Sequence, residues 1–239
     1  MTGRHRAPAA VDDASPATLL QLIWLASPSL PVGAFSYSEG VESAIEGGWV
    51  RDEASAGSWL LDQLHLVLAR SDLPLVAEAF DAWQRDDRAA LAALNAWFAA
   101  TRESAEFALQ SAQTGRSLTQ WLKSLHPQAP SLEVLLALQP APLWPLAFAF
   151  AGWRAGASST QTLLAMAFGW AENMVQACVR AVPLGQTAGQ RVLASLAAEI
   201  PEAVRIALTR TGPERQAFTP LLAILSAQHE SQYSRLFRS

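Results

Sequence analysis

Apolar residues recur every three or four positions through most of the chain, and polar runs containing glycine, proline or an acidic residue separate them, which is the pattern of successive amphipathic helices. Leu19, Leu20, Ile23 and Trp24 recur at helical spacing until "SPSLPVG" (27–33) stops the run with two prolines and a glycine. In "SYSE", Ser36 is placed to cap a short helix with Glu39 reaching back to it, and Gly47-Gly48 ends that helix. Asp52 opens a helix carrying Trp59, Leu60, Leu64, Val67 and Leu68. Asp72 and Pro74 open another carrying Val76, Ala79, Phe80 and Trp83. Asp86-Asp87 restart the pattern through Leu91, Leu94, Trp97 and Phe98, and the register continues through Phe107, Leu118, Trp121 and Leu122 to "HPQAP" (126–130), with Gly115 as a candidate bend.

Three prolines (Pro140, Pro142, Pro145) predict a short helix, an irregular bridge and an apolar helix ending near Gly156. Ser158 or Ser159 then caps a helix running through Leu163, Met166, Phe168, Trp170, Met174, Val175 and Cys178 toward Pro183. Further helices are expected over about 186–198, after Pro201, and from Ala217 toward His229. No run alternates apolar and polar residues for long enough to make a strand. The expected fold is all-α: a single-domain bundle of nine to ten helices over 17–228, with a disordered arm at 1–16 and a separate tail at 229–239.

At 239 residues, 51% hydrophobic and 16% charged, the chain has ample material for a core. A net charge of −4 with the 17 basic residues scattered excludes an electrostatic nucleic-acid binder. A single cysteine, Cys178, excludes an internal disulfide framework and suits a reducing cytoplasm, and the N-terminus lacks the apolar core of a signal peptide. "LWPLAFAFAGW" (143–153) is shorter than the roughly 20 residues of a membrane span and reads as a buried helix. Nine tryptophans and nine phenylalanines give surplus apolar surface, which points to a partner or to self-association.

Recognisable catalytic chemistry is missing. Lys123, the only lysine, has no glycine-rich loop before it, and neither G-x-G-x-x-G nor G-x-S-x-G occurs. Gly152/Gly156 and Gly185/Gly189 form G-x-x-x-G pairs that indicate close backbone packing. His5, His65, His126 and His229 have no metal-ligand spacing among them. His229 beside Glu230 is the one weak metal candidate, completed by another chain, against a surface or interface hydrogen bond. Glu39/Glu42 and Glu103/Glu106 are i, i+3 pairs that would share a helix face, where capping and solvation are commoner than acid/base catalysis.

Polar residues interrupt apolar ones without amphipathic logic in "SPSLPVGAFSYSEGVE" (27–42) and "WAENMVQACVRAVPLGQTAGQRVL" (170–193). Together with "TRESAEFALQSAQTGRSL" (101–118) and the ending "HESQYSRLFRS" (229–239), these stretches resemble the signature segments of the urease accessory protein UreF family. Gln228, Cys178 and Val41 depart from the family's usual residues. The resemblance implies an all-helical, non-enzymatic dimer that needs no cofactor. It would join UreD (also called UreH) and the GTPase UreG on apo-urease, supporting nickel insertion and lysine carbamylation, with nucleotide chemistry left to UreG.

Physically, Arg180 projects from a helix end that Pro183 forces to turn, past Leu184 and Gly185, and Gln186 and Gln190 offer amides on one face of the next helix. These form a recognition surface for UreG, unless Arg180 merely satisfies the carbonyls ending its own helix. Within the same partner picture, Arg180 could serve as an arginine finger that activates the GTPase. Phe35 and Tyr37, beside Ser36 and Glu42, are aromatic anchors for a partner or for the core. Tyr233, Leu236 and Phe237, flanked by Arg235 and Arg238, form a stripe too short to be stable alone, expected to order on UreD. Rival readings are a small helical enzyme with a cofactor ligated by His65 or His126, and a membrane-peripheral protein using 143–153.

Overall fold

The computed structural model describes residues 14–182, 184–216 and 219–238. Every regular element among them is helical. Helix α1 spans Pro16–Ala26, α2 Val41–Glu46, α3 Glu53–Gln63, α4 Leu73–Gln84, α5 Arg88–Ala100 and α6 Ala105–Leu125. They are followed by α7 Pro130–Leu136, α8 Trp144–Arg154, α9 Ser159–Ala181, α10 Gln186–Leu208 and α11 Pro220–Glu230. The expected arm over 1–16 falls largely on residues 1–13, outside the described residues. Its end is corrected, because the Ser15 side chain accepts from the Thr18 amide and Pro16 already starts α1.

Local chemistry sets many boundaries. Asp52 and Ser55 exchange capping bonds at α3, Ser158 and Gln161 do so at α9, and Asp87 caps α5. Gly48, at φ 73°, stops α2.

Tertiary packing overrides four expectations. Ser36 caps nothing: it closes a one-turn 3-10 segment, Ala34–Ser36, and α2 begins after left-handed Gly40. Asp72 is no cap either. The chain passes from α3 through π-helical Leu64–Asp72 straight into α4, whose Pro74 at the start removes a donor that the widened turns absorb. Asp72 instead meets Arg102 at 3.3 Å. The register from 88 to 125 is broken at 101–104, where Ser104 caps α6. Pro201 interrupts no helix: α10 runs through it because Leu196, Ile200, Ala203, Val204 and Ala207 are all buried on one face.

Helix α8 lies at the centre, with Pro145 to Gly152 all buried, packed against α4, α6 and α9. The stretch 143–153 is therefore core, which removes the surface that a membrane-peripheral reading needs. No described helix is long and apolar enough to cross a membrane. Trp83 packs edge-on to Phe150, ring centroids 4.8 Å apart, and stacks on Trp153. Gly115 does not bend α6. It admits the proline-rich bridge, since a Cβ there would stand 2.4 Å from the Pro142 carbonyl oxygen. The bridge has no helical bonds of its own, and buried Asn95 on α5 supplies two: its Nδ2 donates to the Pro140 carbonyl (2.6 Å) and its Oδ1 accepts from the Leu143 amide (3.1 Å).

Helix α1 buries Thr18, Leu22 and Leu25 and leaves Leu19, Leu20, Ile23 and Trp24 exposed. Its eleven residues carry no charge, so one apolar face is available to another molecule.

Candidate functional site

Three segments distant in sequence meet at one end of the bundle: 34–42, the C-terminal part of α9, and 229–238. Their centre is His229. The expectation of a surface or interface histidine is corrected, because the residue is fully buried on α11. Nδ1 faces both oxygens of Glu106 at 2.9 and 3.0 Å, and Nε2 faces Glu42 at 3.1 Å. A neutral imidazole has one N–H, so only the imidazolium can donate on both sides to two carboxylates. The weak metal candidacy falls with this geometry, since each ring nitrogen is taken up by a different helix. Among the described residues no group of acidic, histidine and cysteine side chains could hold a metal ion.

Glu42 does more than meet His229. Its carboxylate accepts the backbone amides of Leu236 (2.6 Å) and Phe237 (2.9 Å). Arg235 donates to Glu106 at 3.0 Å, and the Arg238 amide donates to the Ser36 carbonyl at 2.8 Å. Two carboxylates, one imidazolium and one guanidinium thus balance in charge, and the tail closes over them. Lone burial of any member would be costly; the paired, hydrogen-bonded set is viable. The expectation that the tail is unstructured without a partner is corrected accordingly: 231–238 folds back on its own chain, with Phe237 buried. Tyr233 and Leu236 remain exposed.

The carboxylate pairs of the sequence do not act as pairs. Glu39 precedes α2 in a left-handed conformation, φ 49°, and turns away from Glu42. Its oxygens accept from Gln110 Nε2 (2.6 Å) and Trp170 Nε1 (2.8 Å). Glu103, in the loop before α6, accepts the Thr219 hydroxyl at 3.0 Å and the Thr219 amide, while Glu106 serves the tail. Tyr37 is buried and bonds Gln113, so it belongs to the core; Phe35 is 55% exposed. Asn173 Nδ2 donates to the Ala34 carbonyl at 3.0 Å and holds the 34–37 turn against α9.

Arg180 is exposed on the last turn of α9. Its Nε donates to the Gln176 carbonyl at 3.2 Å, and the guanidinium stands 5.2 Å from the centroid of the Phe237 ring. Arg180 thus bonds a carbonyl of its own helix and leaves its guanidinium exposed beside Phe237. Pro183 lies outside the described residues. Leu184 is half-buried, Gly185 precedes α10, and Gln186 and Gln190 are exposed on its first turns. Gly189 lets α10 approach α9, because a Cβ there would lie 2.7 Å from Val179. Glu230 is exposed and takes no part in the His229 cluster. The sequence reading missed Glu106 as the tail's anchor, and the one available signal was its place in the "TRESAEF" segment.

The enzyme rival finds no support in the histidines. His65 Nε2 meets Glu199 at 3.3 Å at the surface, and His126 caps the end of α6. Cys178 is buried in apolar surroundings that push its thiol up to about 12, which makes it a poor nucleophile.

The UreF family model matches residues 50–197. The chain is 58% identical to the urease accessory protein UreF of Methylibium petroleiphilum over 237 residues, 99% of either chain. It is 55% identical to that of a Polaromonas species over 223 residues (93% of this chain, 95% of the relative), and 56% identical to that of Paracidovorax citrulli over 226 residues (93% and 90%). Of the cluster, Glu106 lies within the family model's span and Glu42, His229 and the tail lie outside it, while the Methylibium relative matches 99% of the chain; on both grounds the chain belongs to the UreF family.

Proposed function

We propose that this chain is a cytoplasmic urease maturation factor that works as a non-catalytic scaffold, joining UreD (UreH) and the GTPase UreG on apo-urease so that nickel enters the urease active site. The supporting observation is the convergence of 34–42, the end of α9 and 229–238, with Glu106 of the 101–118 segment, at one end of the bundle. Arg180 lies against Phe237 while Glu42 holds the Phe237 amide. Exposed Tyr233 and Leu236 give UreD an apolar contact, with Phe35 and Ser36 alongside. Arg180, Gln186 and Gln190 give UreG a fork and two amides on neighbouring helix ends. The uncharged, exposed face of α1 supplies a surface for a homodimer.

The test is co-purification with UreD and UreG followed by urease activation. Removing 229–239 would take out a core histidine and strand two carboxylates, so the informative variants are Tyr233→Ala with Leu236→Ala, both exposed. They should weaken UreD binding roughly tenfold or more while thermal unfolding is unchanged. Full affinity in that double variant would refute the tail's role. Arg180→Ala should weaken UreG binding. The exposed guanidinium on a rigid helix end also favours a second reading, GTPase activation by Arg180; normal UreG binding with lost stimulation would select it.

A further inference from the structure

Beside the tail cluster, on the opposite side of 39–42, lies a cleft of about 130 Å³ that the scaffold reading leaves unused. Its walls are mostly apolar, including Leu30 from the loop after α1, Val67 from the π-helical turns, Phe98 from α5 and Trp170 from α9. Exposed Pro28 belongs to its rim, so the cleft reaches the surface there. The charged groups along it are Glu39, Asp72, Glu103 and Arg102.

Three of these four are accounted for. Arg102 pairs with Asp72 at 3.3 Å, also donates to Ser71 and lies over the Phe98 ring at 3.7 Å. Glu103 is bound to Thr219. Glu39, like Glu103, meets only neutral donors, in its case Trp170 and Gln110. No cation is ion-paired to it, since the nearby Arg102 acts on it only through space while paired to Asp72, and a carboxylate so placed is stabilised by a positive group that enters. Withdrawal from bulk water pushes the Glu39 carboxyl above its ordinary value, with Asp72 adding to the effect and Trp170, Gln110 and Arg102 opposing it. Small volume and apolar walls suit an aliphatic stem, and a carboxylate without an ion pair suits one ammonium at its tip.

We propose that this cleft binds a primary alkylammonium group, its methylenes against Val67 and Phe98 and its charge on Glu39. The chemistry is that of a free small amine or of a lysine side chain offered by another protein.

The probe is n-butylammonium chloride, read by the ¹⁵N–¹H signal of the Trp170 indole, assigned with Trp170→Phe. A saturable shift in the millimolar range is expected, as befits a ligand of few atoms. Glu39→Gln should weaken it at least about tenfold, and Val67→Phe, which fills the cleft without altering charge, should abolish it while circular dichroism stays native. Acetyl-lysine-methylamide, with its side-chain amine free and its backbone blocked, separates the sources: binding of both compounds assigns the cleft to a lysine side chain, and binding of butylammonium alone assigns it to a free amine. The proposal is overturned if butylammonium gives no saturable shift, if 1-butanol or nickel chloride binds while the amine does not, or if Glu39→Gln binds the amine as well as the unaltered chain. None of these outcomes bears on docking of UreD or UreG.

Discussion

Glu39 and Glu42 stand three residues apart and face different worlds. Glu42 meets an imidazolium and two backbone amides, and a chain segment nearly two hundred residues away depends on it. Glu39 meets an indole and a carboxamide at the wall of an open cleft. The difference comes from the backbone between them. Glu39 is left-handed and Gly40 likewise, so the chain turns before α2 begins and the two carboxylates, not sharing a helix face, find different partners. One carboxylate is ion-paired and organises structure; the other is held by neutral donors at the edge of the cleft.

The sharpest way to break this contrast is His229→Ala. It removes the cation between two buried carboxylates and should cost about 3–5 kcal/mol in denaturant unfolding, enough to threaten folding. Glu42→Gln keeps the shape and gives up the charge. Loss of its charge-assisted bonds should cost about 1.5–3 kcal/mol, with amide exchange quickening first at Leu236 and Phe237.

Glu39→Gln should behave in the other sense. The Glu39 carboxyl lies above its ordinary 4.5 in the folded chain because burial disfavours its charge. Its contribution is therefore fully present below the unfolded value and lost as pH rises through the folded one. The variant's stability relative to the unaltered chain should improve from pH 4 upward and level off above the folded value; a difference that is flat, or that moves against the variant with pH, would refute the assigned charge state. Smallest is Arg180→Ala. The residue is exposed on a helix end, so unfolding should shift by no more than about 1 kcal/mol whatever happens to partner binding.

Helix starts and stops were legible wherever a single side chain decides them, as at Asp52, Asp87, Ser158 and Gly48. They were illegible where distant contacts decide. Asp72 looks like a cap in isolation, yet Arg102 claims it; Pro201 looks like a break, yet five buried residues hold α10 together. In α1 both faces carry apolar residues, so spacing could not say that Leu22 and Leu25 point inward and Leu19 and Ile23 outward. The site shows the same division. Two of its segments, within 27–42 and 170–193, stand out because polar residues interrupt apolar ones, and the family resemblance singled out the tail as well. That His229 lies between Glu42 and Glu106 depends on bringing α2, α6 and α11 together, and no local pattern encodes it.

The Asn95 amide bears on how mutational tolerance in this molecule should be judged. Exchange of asparagine for aspartate is ordinarily among the gentlest edits, one group replaced with the outline retained. Here the two ends of the amide do different jobs, one giving a proton to Pro140 and the other taking one from Leu143. Aspartate would repel the first carbonyl, lodge a charge where no water reaches, and unfasten the proline-rich crossing that carries the chain into its innermost helix.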